Sequence, residues 1–433
     1  MIQSAGAAKV GGPVDELLAL SEIADSCQIE PGLTRITRLL NALGAPHQTV
    51  QGVIHVAGTN GKGSVLAYLS AILQAAAIPV AAFTSPHLIT IHERLTFNGE
   101  LVADTLLRQW ASRVLACEAA RQATFFERLT AVIFGLMAQW QQQQSKPSLL
   151  LLETGLGGRL DATNVVAKPR LTAITSIAAD HQNYLGESIG QIAGEKAGII
   201  KPGVPVFAAP NRPEAAQVIE QVAVDKGAPL QLLGRDFNHH LIGEGWCFED
   251  RHGALELPLP GLKGAHQLDN AALALAMARD LGLHGAWPVT PEAMGQGVAQ
   301  VRWPGRLERV SQRPEIWLDG AHNPAAAEQA AAFFAREVRP TIMLFAAMTD
   351  KDLEAMVAPW GGLVDEVILC DGLGDRAMAT ERMVEPWQAR GITTWQAEDA
   401  ATALALARQR VVPEGRIIAS GSLYLVGALK SLI

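Results

Sequence analysis

Val53-Ile54-His55-Val56-Ala57-Gly58-Thr59-Asn60-Gly61-Lys62-Gly63-Ser64 joins an apolar strand pattern to a glycine-rich turn, and a helix-like stretch starts near Val65. That order of strand, turn and helix describes a nucleotide phosphate site. Backbone N–H groups of such a turn, with the positive end of the following helix, form an anion cradle; glycine permits it because no Cβ blocks positive φ or close phosphate approach. Lys62 adds a mobile cation, and Ser64 offers a hydroxyl to phosphate or to a magnesium ion. The strict Walker pattern puts Ser or Thr directly after Gly-Lys, whereas Gly63 intervenes here, so the turn is a variant. An ordinary strand-to-helix turn would share the glycines but not the agreement of lysine, hydroxyl and flanking elements.

Outward from this turn, a helical N-terminal region including Thr34 to Leu43 is followed by short β-like runs alternating with helical patterns. The runs are Val53 to Ala57, Val80 to Phe83, Leu149 to Glu153, Leu171 to Ile174 and Val204 to Ala208. Such alternation predicts an α/β fold with a mainly parallel sheet. Gln231 to Leu257 lacks helical periodicity, carries Gly243, Gly245 and Gly253, and reads as antiparallel hairpins appended to the sheet's edge. Asn270 to Leu281 is an Ala-rich helix, and Arg302-Trp303-Pro304-Gly305 breaks the chain after a helical pattern ending near Val298. The domain boundary is expected there, giving domains 1–301 and 302–433. Beyond it, Ile316 to Asp319, Thr341 to Phe345, Val364 to Leu369 and Ile417 to Ser420 read as buried strands of a second, smaller α/β domain.

A chain of 433 residues suits two domains, since single cores stop growing near ~250–300 residues. Apolar content of 49% with 18% charged residues describes a globular protein, and a net charge of −8 argues against a nucleic-acid partner. Cys27, Cys117, Cys247 and Cys370 are widely spaced, without CxxC or zinc spacing, and read as buried thiols in a reducing compartment. Met1 to Val10 lacks a basic start followed by an apolar region, and no run reaches the ~18 apolar residues of a membrane span; Ala131 to Ala138 has only core-helix length. A cytoplasmic protein with no membrane partner is expected.

The second informative stretch is Leu149-Leu150-Leu151-Leu152-Glu153-Thr154-Gly155-Leu156-Gly157-Gly158-Arg159-Leu160-Asp161-Ala162-Thr163-Asn164. An apolar strand ends in a carboxylate, and in open α/β sheets ligands bind beyond the carboxyl ends of strands, so Glu153 would face the crevice of the phosphate loop. A hard oxygen there suits magnesium held against phosphates. Alternatively Glu153 caps a helix or pairs with Arg159. Taken alone, Gly155-Leu156-Gly157-Gly158 could be a dinucleotide fingerprint with Asp180 as ribose ligand, a dehydrogenase reading that leaves Lys62 without a role.

Thr175-Ser176-Ile177-Ala178-Ala179-Asp180-His181 and Thr84-Ser85-Pro86-His87-Leu88 each follow an apolar strand. His181 is a candidate ligand or an ordinary surface histidine, and Ser85 a phosphate or metal contact or part of a Ser-Pro turn. In Glu195-Lys196-Ala197-Gly198-Ile199-Ile200-Lys201, the lysines either favour a helix's negative end, or Lys196 lies near the phosphates as a cation or carbamate. Asp319-Gly320-Ala321-His322-Asn323-Pro324, Asn270 and Pro304-Gly305-Arg306 offer polar groups that could close over a nucleotide; each is ordinary alone, as strand-end cap, helix-start residue and surface charge.

Together HVAGTNGKGS, FTSPHL, HERLTFNG, FFERLT, LLLETGLGGRLDATN, TSIAADH, GEKAGIIK, HQLDNAALAL, WPGRLE, LDGAHNP and GSLYLVG resemble the folylpolyglutamate synthase and dihydrofolate synthase family of the Mur ligase superfamily. They run in family order from about residue 55 to residue 427. The resemblance implies an N-terminal P-loop ATPase-like domain, a C-terminal Rossmann-like domain and ATP between them. It places ATP phosphates on Asn60, Gly61, Lys62, Gly63 and Ser64, with Asn270, Arg306 and Asp319 contacting nucleotide. It makes Ser64, Ser85, Glu153 and His181 magnesium ligands and Lys196 a carbamylated lysine, so that Lys62, Glu153, His181 and Lys196 form the catalytic set. Pterin and folate contacts would fall on Gly32, Leu33, Thr34 and Arg35, on Thr124, Phe125, Phe126 and Glu127, and on Arg159, Leu160 and Asp161. The first segment rests on a short GLxR match, and Gly320 stands where the family pattern has an apolar or aromatic residue.

The implied activity is ATP-dependent addition of L-glutamate to dihydropteroate or to reduced folate, by a monomer, through an acyl phosphate. A cell-wall amino-acid ligase would use the same phosphate machinery on another acceptor. A nonenzymatic module closing its domains on ATP would make no amide.

Overall fold

A computed structural model describes residues 31–374 and 376–433, so Met1 to Val10 and Cys27 lie outside the described residues. The first sheet has eight strands: β1 (Val53–Ala57), β2 (Val80–Phe83), β3 (Leu95–Phe97), β4 (Glu100–Leu101), β5 (Leu149–Glu153), β6 (Leu171–Ile174), β7 (Val206–Ala208) and β8 (Leu230–Leu232). Their order is β4-β3-β2-β5-β1-β6-β7-β8, parallel from β2 to β8, with β3 and β4 antiparallel at one edge. The central strands are buried at every position and mostly apolar because helices cover both faces, as expected for parallel strands.

One face carries the helix Lys62–Ala75 against the helices His266–His284 and Pro291–Gln300. A Cβ on Gly297 would lie 2.4 Å from the Cα of Ile72, so this glycine sets how closely two of those helices approach. The other face packs the helix Phe125–Gln142, which contains Ala131 to Ala138, with Thr34–Ala42 and Asp104–Leu115.

The stretch read as hairpins on the sheet edge divides differently. Leu230–Leu232 is β8, a parallel edge strand; β9 (Phe237–Ile242), β10 (Gly245–Asp250) and β11 (Gly253–Pro258) form a separate antiparallel sheet. Phe237, Trp246 and Phe248 turn one face of it into the core around His266–His284. Packing onto a helix layer, rather than strand addition, covers that face.

The second sheet has six strands, β12 (Glu308–Gln312), β13 (Glu315–Leu318), β14 (Thr341–Phe345), β15 (Glu366–Cys370), β16 (Thr393–Ala397) and β17 (Arg416–Ser420), in the order β12-β13-β17-β14-β15-β16. Only β12 is antiparallel. Trp303 and Pro304 lie between the helix Pro291–Gln300 and β12. Cys117, Cys247 and Cys370 are free thiols; Cys247 and Cys370 are buried, while Cys117 is partly exposed. Among the described residues no helix is long and apolar enough to cross a membrane.

Candidate active site

Because β2, β5, β1 and β6 are neighbours and parallel, their C-terminal ends set Ser85, Glu153, the phosphate loop and the Ser176–His181 loop along one rim. The ends of β13, β17 and β14 face that rim with the loops holding Asp319, Ser422 and Lys351. A cavity of about 940 Å³ lies between the two walls, the size of small-molecule sites.

Gly61 has φ of 91°, a conformation costly for any residue with a Cβ, and the helix starts directly after it. The first helical backbone bond runs from Val65 N–H to the Gly61 carbonyl, leaving the amides of Lys62, Gly63 and Ser64 at the open end. The amides of Thr59 and Asn60 donate to the Ser176 carbonyl at 2.8 and 3.2 Å, so the cradle is narrower than the full turn. A Cβ on Gly63 would meet the Trp303 ring at 3.0 Å, a local reason for glycine after the lysine. Lys62 Nζ donates to the Gly58 and Thr59 carbonyls and stands 3.9 Å from Glu153 Oε1.

Asn270 sits in the second turn of its helix rather than at its start. Its Nδ2 donates to Gln267, whose Nε2 reaches the buried Ser64 hydroxyl at 3.4 Å, and its Oδ1 closes over Gly61.

Glu153 is buried and accepts from the Ser85 N–H at 3.0 Å. Burial pushes its carboxyl up, against Lys62, the Ser85 amide, Arg306 and Arg94. Lys196 is buried, with Nζ donating to the Gly58 carbonyl at 2.9 Å. It therefore points at the phosphate loop instead of back at its own helix end. Burial, then the charge of Lys62, pulls its amine down to about 7. His181, in a left-handed conformation, is half-exposed and stands 3.9 Å from both Asp180 and Asp350.

Among the described residues no three His, Cys, Asp or Glu side chains gather as a metal cage. Magnesium commonly takes only one or two carboxylates beside phosphate and water. A buried carboxylate at the mouth of a phosphate loop, with serine hydroxyls on the same rim, fits that donor set.

Further along the cavity, Arg35 Nε donates to Glu127 Oε2 at 3.1 Å, and that oxygen also caps the helix by accepting the Thr124 amide. The Gly32–Arg35 and Thr124–Glu127 segments are thus joined, with Phe126 stacked on Phe83. Arg159 pairs with Glu195 at 2.7 Å, and Leu160 is partly exposed at the cavity. Asp161 differs: it is buried, and its oxygens accept from Leu156 N–H, Thr163 N–H and Thr163 Oγ1. Its carboxylate shapes the glycine loop from within. No helix opens that loop, which leads into a short 3₁₀ turn at Ala162–Val165, so the geometry of a dinucleotide fingerprint is missing.

On the second wall, Asp319 accepts from the amides of Leu307 and Ala321, both at 2.9 Å. A Cβ on Gly320 would collide with Arg306 and Leu423, which accounts for glycine there. Asn323 and Asn60 exchange side-chain amide bonds at 2.9 and 3.2 Å, Asn323 also reaches Asp180, and Lys351 Nζ meets Asp180 Oδ1 at 2.6 Å. Burial pushes Asp180 up, but His181, Lys351 and His322 outweigh it and hold it down to about 2. Lys351 and Arg94 were not singled out from the sequence. The strand-end rule applied to the loop after β14 flags Lys351, whereas Arg94, in the turn before β3, gives no such signal.

A lysine-bearing phosphate loop on one sheet, faced across a cleft by polar strand-end loops of another, defines an ATP-dependent ligase of the Mur type. Residues 305–423 match the family described as "Mur ligase, glutamate ligase domain". The dihydrofolate synthase/folylpolyglutamate synthase of Bacillus subtilis is 40% identical over 342 residues, covering 76% of this chain and 78% of its own. Escherichia coli FolC in complex with DHPP and ADP superposes with a TM-score of 0.86 at 33% identity, over 96% of both chains. The Yersinia pestis enzyme complexed with AMPPNP and Mn gives 0.83 at 32% identity, over 96% of each. The chain belongs to the folylpolyglutamate synthase/dihydrofolate synthase family and is an ATP-dependent glutamate ligase of folate metabolism.

Proposed function

We propose that this enzyme adds L-glutamate to both dihydropteroate and reduced folates, through an acyl phosphate made in the cleft between residues 1–301 and 302–433. The observation that carries this is the shared rim: Lys62, Glu153 and the open amides of Lys62 to Ser64 border one cavity. The same cavity is lined by the joined Gly32–Arg35 and Thr124–Glu127 segments with Arg159 and Leu160. The B. subtilis relative carries both synthase names, and E. coli FolC was solved with DHPP and ADP.

In this reading the ATP phosphates rest on Asn60 to Ser64, which requires Asn60 to release Asn323, while Asn270, Arg306 and Asp319 hold the nucleotide. A carboxylate oxygen of the acceptor attacks the γ-phosphorus, the bond to ADP breaks, and the acyl phosphate forms with Lys62 neutralising charge. The glutamate amine attacks the acyl carbon, phosphate leaves and the amine proton is lost, giving the amide. No protein nucleophile is needed. The paired walls exclude water that would hydrolyse the acyl phosphate. Magnesium would be held by Ser64, Ser85 and Glu153, and by His181 with Lys196 as its carbamate; the ions supply charge neutralisation on the phosphates. Lys196 suits that modification because only a neutral amine reacts with CO₂, and its burial favours the neutral form. Asp161 contributes to acceptor binding by shaping the loop around it. We assign the protein to the cytoplasm as a monomer, in keeping with its free thiols and a cleft lined by one chain.

Purified protein with Mg-ATP, L-glutamate and either dihydropteroate or tetrahydrofolate should release ADP and give a glutamylated product with each acceptor, scored by mass. Amide from only one acceptor would reduce the proposal to a single synthase, and none from either would overturn it.

A further inference from the structure

Arg94 closes the 3₁₀ turn Ile91–Arg94 ahead of β3 and is only 9% exposed, yet it borders the cavity. Its Nε donates to His87 Nδ1 at 2.9 Å, and its guanidinium lies 5.6 Å above the Phe125 ring. Other cavity cations have protein partners at their charged ends. Lys62 faces Glu153, Arg159 pairs with Glu195 and Lys351 with Asp180. Arg306 donates to the Gly305 carbonyl and Arg376 to the Tyr424 hydroxyl. Arg94 alone among the described cavity arginines leaves both Nη atoms without a protein acceptor.

A buried guanidinium with an open two-pronged end is costly unless an anion meets it, and its planar fork matches a carboxylate. Its place identifies which anion. Phe125, on the acceptor segment, lies under its face, and the Arg94 carbonyl accepts from Thr84 N–H at 3.0 Å, next to Ser85, whose amide holds Glu153 at the phosphate wall. The fork therefore stands where the acceptor's reacting end must meet the γ-phosphate. Those two groups are both anionic, so bringing them together calls for a cation at their junction.

We infer that Arg94, oriented by His87 and Phe125, grips the acceptor carboxylate that becomes the acyl phosphate. This rests on the acceptor reading above and adds the residue that recognises the reacting group. The His87 bond fixes Nε, so both Nη atoms are presented together rather than swept through rotamers.

The test compares binding of dihydropteroate with that of its carboxamide, equal in shape but uncharged, to the whole enzyme with Mg-ADP. Wild type should prefer the carboxylate by roughly 10- to 100-fold, the range of a charge-assisted bidentate contact. Arg94→Met, which keeps the stem over Phe125, should erase that preference while leaving carboxamide affinity and ADP affinity within about twofold. Arg94→Lys, which keeps charge and loses the fork, should retain part of it and serves if the methionine variant does not fold. Retention of the full preference in either variant would overturn the assignment. So would a selective loss of AMPPNP affinity over ADP affinity, since Arg94 would then serve the γ-phosphate. Binding of neither ligand to wild type would instead remove the acceptor reading itself, and this inference with it.

Discussion

On the wall formed by β2, β5, β1 and β6, Glu153 and Lys196 are buried with few partners, and their protonation is displaced from the ordinary: the carboxyl upward, the amine downward. On the wall formed by β13, β17 and β14, Asp319 and Asn323 are equally buried but tied to backbone amides and to the opposite wall. Desolvated groups with unfilled valences are poised to meet a multiply charged ligand, whereas satisfied groups hold a shape. In the proposed function the first wall is accordingly the place for phosphoryl chemistry and the second a cover that docks on it.

Lys62→Ala tests the contrast most severely. Glu153 would lose its nearest cation and the γ-phosphate its neutralising charge, so turnover should fall at least ~100-fold while the melting temperature stays near wild type. Near-normal ligation by a folded variant would take Lys62 out of the mechanism and cast the first wall as another structural surface.

The junction between the walls comes next. Lys351 and Asp180 are each 7% exposed at the side chain, so removing one partner leaves a buried charge without its ion pair. Lys351→Met should destabilise by about 3 kcal/mol in chemical denaturation, and by less when combined with Asp180→Asn. The sign of the pH effect follows from Asp180. Its folded value of about 2 lies below the unfolded value, so its stabilisation is fully present above about pH 4 and is lost as pH falls through 2. Lys351→Met should flatten that acid limb of the stability curve. An unchanged limb would mean the walls do not dock through this pair.

Legibility from sequence divided along the same line. The strands β1, β2, β5, β6 and β14 stand at their expected limits, because each is an apolar run bounded by Gly, Pro or a polar loop. β12 and β16 escaped notice because Glu308–Gln312 and Thr393–Ala397 are polar, partly exposed edge strands with no such contrast. Glu153 and Lys62 could be found because strand-end position and glycine spacing mark them. The Asn60–Asn323 and Asp180–Lys351 contacts span 263 and 171 residues, and no local pattern encodes which loop of one sheet will oppose which loop of the other. Asn60 illustrates the limit: its place in the turn was evident, but its amide's engagement by the second wall was not.

The mildest test concerns Gly320, the departure from the family pattern. Its backbone lies against Arg306 and Leu423, and a methyl group there would push on the guanidinium, the flexible neighbour of the two. No positive φ is involved, so Gly320→Ala costs shape and not backbone strain. Arg306 can swing away, and the cavity it borders gives it room to do so. KM for ATP should rise by about two- to fivefold with kcat nearly unchanged, as when a contact that aids ground and transition states alike is weakened. A fall in kcat at constant KM would show that Arg306 acts on the reacting phosphate, and the second wall would then share the chemistry of the first.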